Sequence, residues 1–129
     1  MIFLDSSYLI GVILKKDKYT KRALELKPLL KHEKKLINNT VFNEVLNSLS
    51  ETNSNYNVDE LTDLLLSYKI DFLTADDYAD AVASYKYYNH SINFSDCTIL
   101  QTMMKNKVNT IVSFDSDFDK INGFHRIYF

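Results

Sequence analysis

The chain is poor in residues that punctuate structure. Its 129 residues include two glycines, Gly11 and Gly123, and one proline, Pro28. An all-β fold needs many tight turns, so this scarcity argues against one and favours a helix-rich chain. A single cysteine, Cys97, excludes an internal disulfide and fits a reducing compartment. No apolar run approaches the length of a membrane span. The opening MIFLDSSYLI lacks the basic segment of a signal peptide, and an acid interrupts its apolar run. The expectation is a cytoplasmic protein. The formal net charge is only −2, so no global basic field announces a nucleic-acid partner. That exclusion is weak, because a bound metal would change the local sign. No internal repeat or low-complexity block is visible.

What is present is an ordinary globular composition, 46% apolar and 25% charged. A chain of this length is expected to form one domain, 1–129, and to bury roughly two-thirds of its unfolded surface. Short apolar runs at 2–4 (IFL), 35–38 (KLIN), 70–73 (IDFL), 110–113 and 125–129 (HRIYF) read as strands. Between them, helical spacing predicts helices over 7–16, 18–31, 40–51, 58–68, 75–88 and 95–106. Leu24, Leu26, Leu29 and Leu30 supply an apolar side to the second of these. Ala75, Tyr78, Ala79, Val82 and Tyr85 do so for the fifth. Residues 51–57 (ETNSNYN) read as a loop. Strands alternating with helices point to an α/β fold, a three-layer α/β/α sandwich around a short, mostly parallel sheet. Strand order does not follow from the sequence.

The stretch NTIVSFDSDFD, 109–119, runs from a buried strand into three aspartates in five positions. Asp5 likewise ends the first strand, and Asp115 and Asp117 follow the strand at 110–113. Ligands of open parallel sheets bind outside the carboxyl ends of the strands. If the two strands are neighbours, the acids converge. Glu44 and Asp96, early in their helices, would open onto the same end. Carboxylates so gathered repel and raise one another's pKa values. A hard divalent cation such as Mg²⁺ removes that penalty. Each acid also has an ordinary reading. Asp5 suits an N-cap. Asp96 suits a capping arrangement with Asn93. Glu44 falls on the polar side of its helix. Asp119 reads as solvated or capping, and Asp76 and Asp77 as helix-start residues.

Four segments together resemble the PIN-domain ribonucleases, most closely the compact VapC-type toxins of toxin–antitoxin pairs. They are FLDSSYLI with Asp5, TVFNEVLNSL with Glu44, NFSDCTIL with Asp96, and IVSFDSDFD with Asp115 and Asp117. The resemblance covers nearly the whole chain and implies Mg²⁺- or Mn²⁺-dependent cleavage of RNA. It implies Asp5, Glu44, Asp96 and Asp115 as the catalytic and metal-binding quartet, with Asp117 as an added acid. Ser6 and Ser113 would orient ligands from behind. It further implies a homodimer and a small antitoxin partner.

Lys15, Lys16, Lys18, Lys21 and Arg22 form one basic cluster, and Lys31, Lys34 and Lys35 another. Lys15, Lys16, Lys18 and Lys86 are candidate RNA contacts, though such clusters are also ordinary solvated surface. Tyr85, Tyr87 and Tyr88 beside Lys86 can stack on bases, but Tyr85 fits core or dimer packing better. Cys97 reads as a small core residue, and His32, His90 and His125 as surface or packing residues. The alternative function is a catalytically silent metal- or nucleic-acid-binding module, receiver-like or an inactive relative of the same fold. A receiver wants an acidic pair near the first strand, and a haloacid-dehalogenase-type phosphatase wants an aspartate where Ser7 stands.

Overall fold

The computed structural model describes residues 1–14, 17–51 and 56–128. Five strands, β1 (Ile2–Leu4), β2 (Lys35–Asn38), β3 (Lys69–Asp71), β4 (Thr110–Val112) and β5 (His125–Ile127), form one sheet. Its order is β3-β2-β1-β4-β5 and all its pairings are parallel. Among the described residues six helices accompany it: α1 (Ser6–Ile13), α2 (Thr20–Leu26), α3 (Asn39–Glu51), α4 (Val58–Leu66), α5 (Ala75–Tyr87) and α6 (Phe94–Lys105). Short 3-10 turns span Lys27–Leu30 and Ser116–Lys120. The central strands are buried on both faces, with Phe3, Leu4, Leu36, Ile37, Ile111 and Val112 all inaccessible to solvent. Only helices on both sides of the sheet achieve that. Right-handed crossovers assign α1–α4 to one face and α5 and α6 to the other. The three-layer sandwich expected from the sequence is the fold observed.

The chain leaves β1 in one direction, to β2 and β3, and returns past β1 to reach β4. The order therefore reverses between β1 and β4, where Phe3 pairs with Ile111 and Leu4 with Val112. A crevice opens at such a reversal, outside the carboxyl ends of the two strands. The order also separates this fold from the 2-1-3-4-5 sheet of receiver-like proteins.

Several boundaries move. The helix expected at 7–16 begins at Ser6 and ends at Ile13, where Leu14 turns extended. The helix expected at 18–31 becomes α2 and then a 3-10 turn, because Pro28 has no N–H to continue the α-helical ladder. Leu26 and Leu30 are buried, but Leu24 and Leu29 are exposed, so the expected four-leucine side is halved. The stripe expected on α5 is met only at Tyr85, which packs against the core. Ala75, Tyr78, Ala79 and Val82 face outward, while Asp77 and Ala81 are buried. β3 stops at Asp71, leaving Phe72 exposed, and β5 stops at Ile127. Most of the loop expected at 51–57 lies outside the described residues.

Gly11 is the glycine that packing requires. A Cβ there would stand 3.0 Å from Ala23 Cβ, so its absence lets α1 and α2 approach closely.

Candidate active site

Asp5 follows β1 and stands at the head of α1, yet its side chain caps nothing there. Instead it is buried, and its Oδ2 accepts hydrogen bonds from Ser113 Oγ (2.7 Å) and Ser7 Oγ (2.8 Å). Its backbone N–H donates to Val112 O at 3.0 Å, extending the β1–β4 pairing to the acid itself. Burial pushes the Asp5 carboxyl up, against those hydrogen bonds, and nearby Asp115 adds to the rise. Ser113 also accepts a bond from Asp115 N–H at 3.0 Å, so one hydroxyl organises both acids. Ser7 accepts from Phe114 N–H at 3.0 Å and closes the same knot.

Glu44 is brought in from α3. Ser6 Oγ donates to its Oε2 at 2.5 Å, across 38 residues of sequence. Burial raises the Glu44 carboxyl, with Asp5 adding to the effect. Its place depends on a polar spine between α3 and α6. Asn38 Oδ1 accepts from Val41 N–H at 3.1 Å, while Asn38 Nδ2 donates to Thr102 Oγ1 at 3.0 Å. The hydroxyls of Thr40 and Thr98 meet at 3.1 Å. This spine fixes the helix carrying Glu44 against the helix carrying Asp96.

Asn93 caps α6 by accepting from Asp96 N–H at 2.8 Å. The capping arrangement is thus real for the backbone of Asp96, while its carboxylate goes elsewhere. It is buried, and its Oδ2 receives no hydrogen bond among the described residues. Burial first, then the charges of Asp5 and Asp115 and a lesser push from Glu44, lift this carboxyl to about 8. Asp77 holds the equivalent position in α5 and behaves oppositely. It completes a capping box with Thr74 and pairs with Lys105 at 3.1 Å, and its carboxyl is lowered, chiefly by the Thr74 N–H bond.

Carboxylate oxygens of Asp96, Asp115 and Asp117 lie within 4.8 Å of one another. Asp115 Oδ1 accepts from Asp117 N–H at 2.9 Å, and Asp117 pairs with Lys120 at 2.8 Å. Asp119 leaves the cluster. It is solvent-exposed, as expected, and takes a two-pronged bond from Arg126, at 2.9 and 2.8 Å. The donor set is all carboxylate oxygen, and one buried oxygen is without a donor. Those features fit a hard divalent cation such as Mg²⁺.

The candidate RNA contacts are scattered. Lys18 is exposed beside Tyr19, and Lys86 is exposed on the last turn of α5. Lys15 and Lys16 lie outside the described residues. Tyr85 packs against the core and stacks on His90 at 4.5 Å, whereas Tyr87 is exposed. Cys97 is fully buried. Two groups escaped sequence reasoning. Ser7 was legible only as a hydroxyl two residues after an acid. The Asn38, Thr40, Thr98 and Thr102 spine left no signal beyond small polar residues on apolar elements.

A protein-family model described as PIN domain matches residues 2–123. Comparison with curated proteins returns no match. Among solved structures, the chain is similar to the toxin VapC20 of Mycobacterium tuberculosis, which cleaves the sarcin–ricin loop. That match has 22% identity and a TM-score of 0.85, and covers 99% of each chain. It is also similar to a chain of a toxin–antitoxin complex from Klebsiella pneumoniae, with 21% identity, a TM-score of 0.69, and 97% and 96% coverage. A third is VapBC2 of Rickettsia felis, solved with a DNA fragment from its promoter, at 21% identity, a TM-score of 0.65 and 98% coverage of each chain.

Proposed function

This chain belongs to the PIN domain family, and on that footing we propose that it is a metal-dependent endoribonuclease, the toxin of a toxin–antitoxin pair. The whole of 1–129 would act as one nuclease domain. The observation that carries this reading is the gathering of Asp5, Glu44, Asp96, Asp115 and Asp117 around the β1–β4 reversal. Nothing in the fold's own stability asks for it, since burial and mutual repulsion raise Asp5, Glu44 and Asp96.

Asp96, Asp115 and Asp117 would hold the cation, with Asp5 and Glu44 as further ligands, directly or through water. Mg²⁺ there, with Mn²⁺ as a substitute, would supply Lewis-acid charge at the phosphate and acidify an attacking water. The chain's part is placement. Ser7 and Ser113 hold Asp5, Ser6 holds Glu44, and the Asp117 N–H holds Asp115. Such outer partners fix ligand direction before substrate arrives. No histidine takes part in this scheme.

One of the similar solved structures is described as a toxin–antitoxin complex, which supports a small antitoxin partner here. A homodimer and a cytoplasmic site of action complete the reading. Among the described residues no helix is long and apolar enough to cross a membrane. The test is cleavage of labelled single-stranded RNA with Mg²⁺, with Mn²⁺ and with EDTA, beside Asp5→Asn. Cleavage lost in EDTA and in the variant is expected. A wild type inert on several RNAs with both metals would overturn the reading.

A further inference from the structure

A cleft of about 460 Å³ lies between α2 and the carboxyl end of the sheet. Its walls carry Lys18, Lys21 and Arg22 on one side and Phe114 and Arg126 on the other, with Tyr19 between. The Tyr19 and Phe114 rings stack at 4.5 Å and 14°. Lys18 Nζ sits 4.9 Å from the Tyr19 centroid. Arg126 lies over the Tyr128 ring at 3.9 Å, and its Nη1 donates to Ser113 O at 3.3 Å.

The cleft is tied to the acids rather than merely near them. Phe114 lies between Ser113, which holds Asp5, and Asp115, and its N–H donates to Ser7. A ligand resting on Phe114 is therefore one residue from the cation-binding loop. The charge balance is also one-sided. Arg126 is neutralised by Asp119, but Lys18, Lys21 and Arg22 face a single carboxylate, Glu25, among the described residues of the lining. Cations beside half-exposed aromatic rings are what holds single-stranded nucleic acid, phosphates on the first and unpaired bases on the second. An acidic peptide would use the cations and leave the rings without a role.

We infer that this cleft is a substrate subsite, holding an unpaired nucleotide and its phosphates next to the bond cut at the acids. The inference rests on the nuclease reading and adds to it the place on this chain where the unpaired strand is held. The second basic cluster cannot serve the same end. Lys34 O accepts from Ile2 N–H at 2.8 Å, which puts that cluster at the amino ends of the strands, opposite the acids.

The test is the affinity of a labelled single-stranded RNA in EDTA, measured against salt, for wild type and the double variant Lys18→Ala/Lys21→Ala. Lys31→Ala/Lys34→Ala removes equal charge at the far end. The cleft variant should bind about tenfold more weakly, and its salt slope should fall by roughly 1.4, since each lost phosphate contact to a single strand is worth about 0.7. Lys18→Arg/Lys21→Arg should restore affinity, and the far-end variant should match wild type. Mn²⁺ binding by the acids should be the same in all four proteins. If the two Ala variants lose affinity equally, or the cleft variant loses none, the subsite is overturned while metal-dependent cleavage by wild type leaves the nuclease reading intact. Weaker binding of poly-glutamate with unchanged RNA affinity in the cleft variant would make the cleft a protein-docking surface instead. Wild type that neither binds nor cleaves RNA would sink both.

Discussion

Ser6 and Glu44 stand 38 residues apart in the chain and 2.5 Å apart in the fold. Ser6 opens α1 just after β1, and Glu44 belongs to α3, so their bond joins two helices at the mouth of the crevice. It also leaves a raised carboxylate with a fixed direction. Ser6→Ala should remove that direction without disturbing the core. RNA cleavage should fall about tenfold to a hundredfold, the range for losing an outer-shell partner, while stability falls by no more than about 1–3 kcal/mol. Ser6→Thr should keep most activity.

Asp96 gives a sharper separation of stability from function. Its carboxylate is buried among other acids, with no donor to its Oδ2 among the described residues. Asp96→Asn should therefore raise the melting temperature of the metal-free protein at pH 8, by about 2–8 °C for each kcal/mol of repulsion relieved. The same variant should lose cleavage by two orders of magnitude or more, as a ligand substitution should. A calorimetric scan and an RNA assay read the two effects independently.

The metal-free protein should also melt lower as pH rises. Folding lifts the Asp96 carboxyl from its ordinary 3.8 to about 8, so the folded state binds a proton that the unfolded chain has released. Stability present below about pH 4 is lost as pH rises from there through about 8, and Asp5 and Glu44 act in the same direction. Saturating Mg²⁺ should flatten the slope, and its binding at pH 7 should release protons into a weakly buffered solution. A melt insensitive to pH over this range in EDTA would contradict the assignment.

Asn38 should matter to both stability and activity. Asn38→Ala removes the cap on α3 and leaves the Thr102 hydroxyl without its donor. A lost cap costs about 1 kcal/mol and a stranded buried partner about 1–3. Urea denaturation should show a loss of roughly 2–4 kcal/mol on the same magnitudes. Activity should fall further than the unfolded fraction explains, since the spine sets Glu44 against Asp96.

Much of this was legible in the sequence, for identifiable reasons. Strands buried on both faces leave continuous apolar runs such as IFL and KLIN, and acids at their carboxyl ends stand out against them. The pairing of β1 with β4 was not legible, because parallel partners 108 residues apart leave no local pattern. The α5 stripe misled for a different reason. Ala75, Tyr78, Ala79 and Val82 have helical spacing, but the line that packs inward carries Asp77, Ala81 and Tyr85, with Asp77 held by its capping box with Thr74 and its bond to Lys105. Hydrophobic spacing names a helix face, while the buried face here also carries an acid that spacing reads as polar. Asp5 shows the same limit in the site. Spacing alone left it as either cap or ligand, and in the fold its carboxylate caps nothing and accepts instead from Ser7 and Ser113.

The most direct measurement of the central claim is diffraction from crystals grown with Mn²⁺, recorded at the manganese edge. The account predicts an anomalous peak bonded to carboxylate oxygens of Asp96 and Asp115, with Asp5, Glu44 or Asp117 beside it. The peak should vanish in Asp96→Asn crystals. No peak at the β1–β4 crevice at saturating Mn²⁺, or one that survives loss of Asp96, would contradict it.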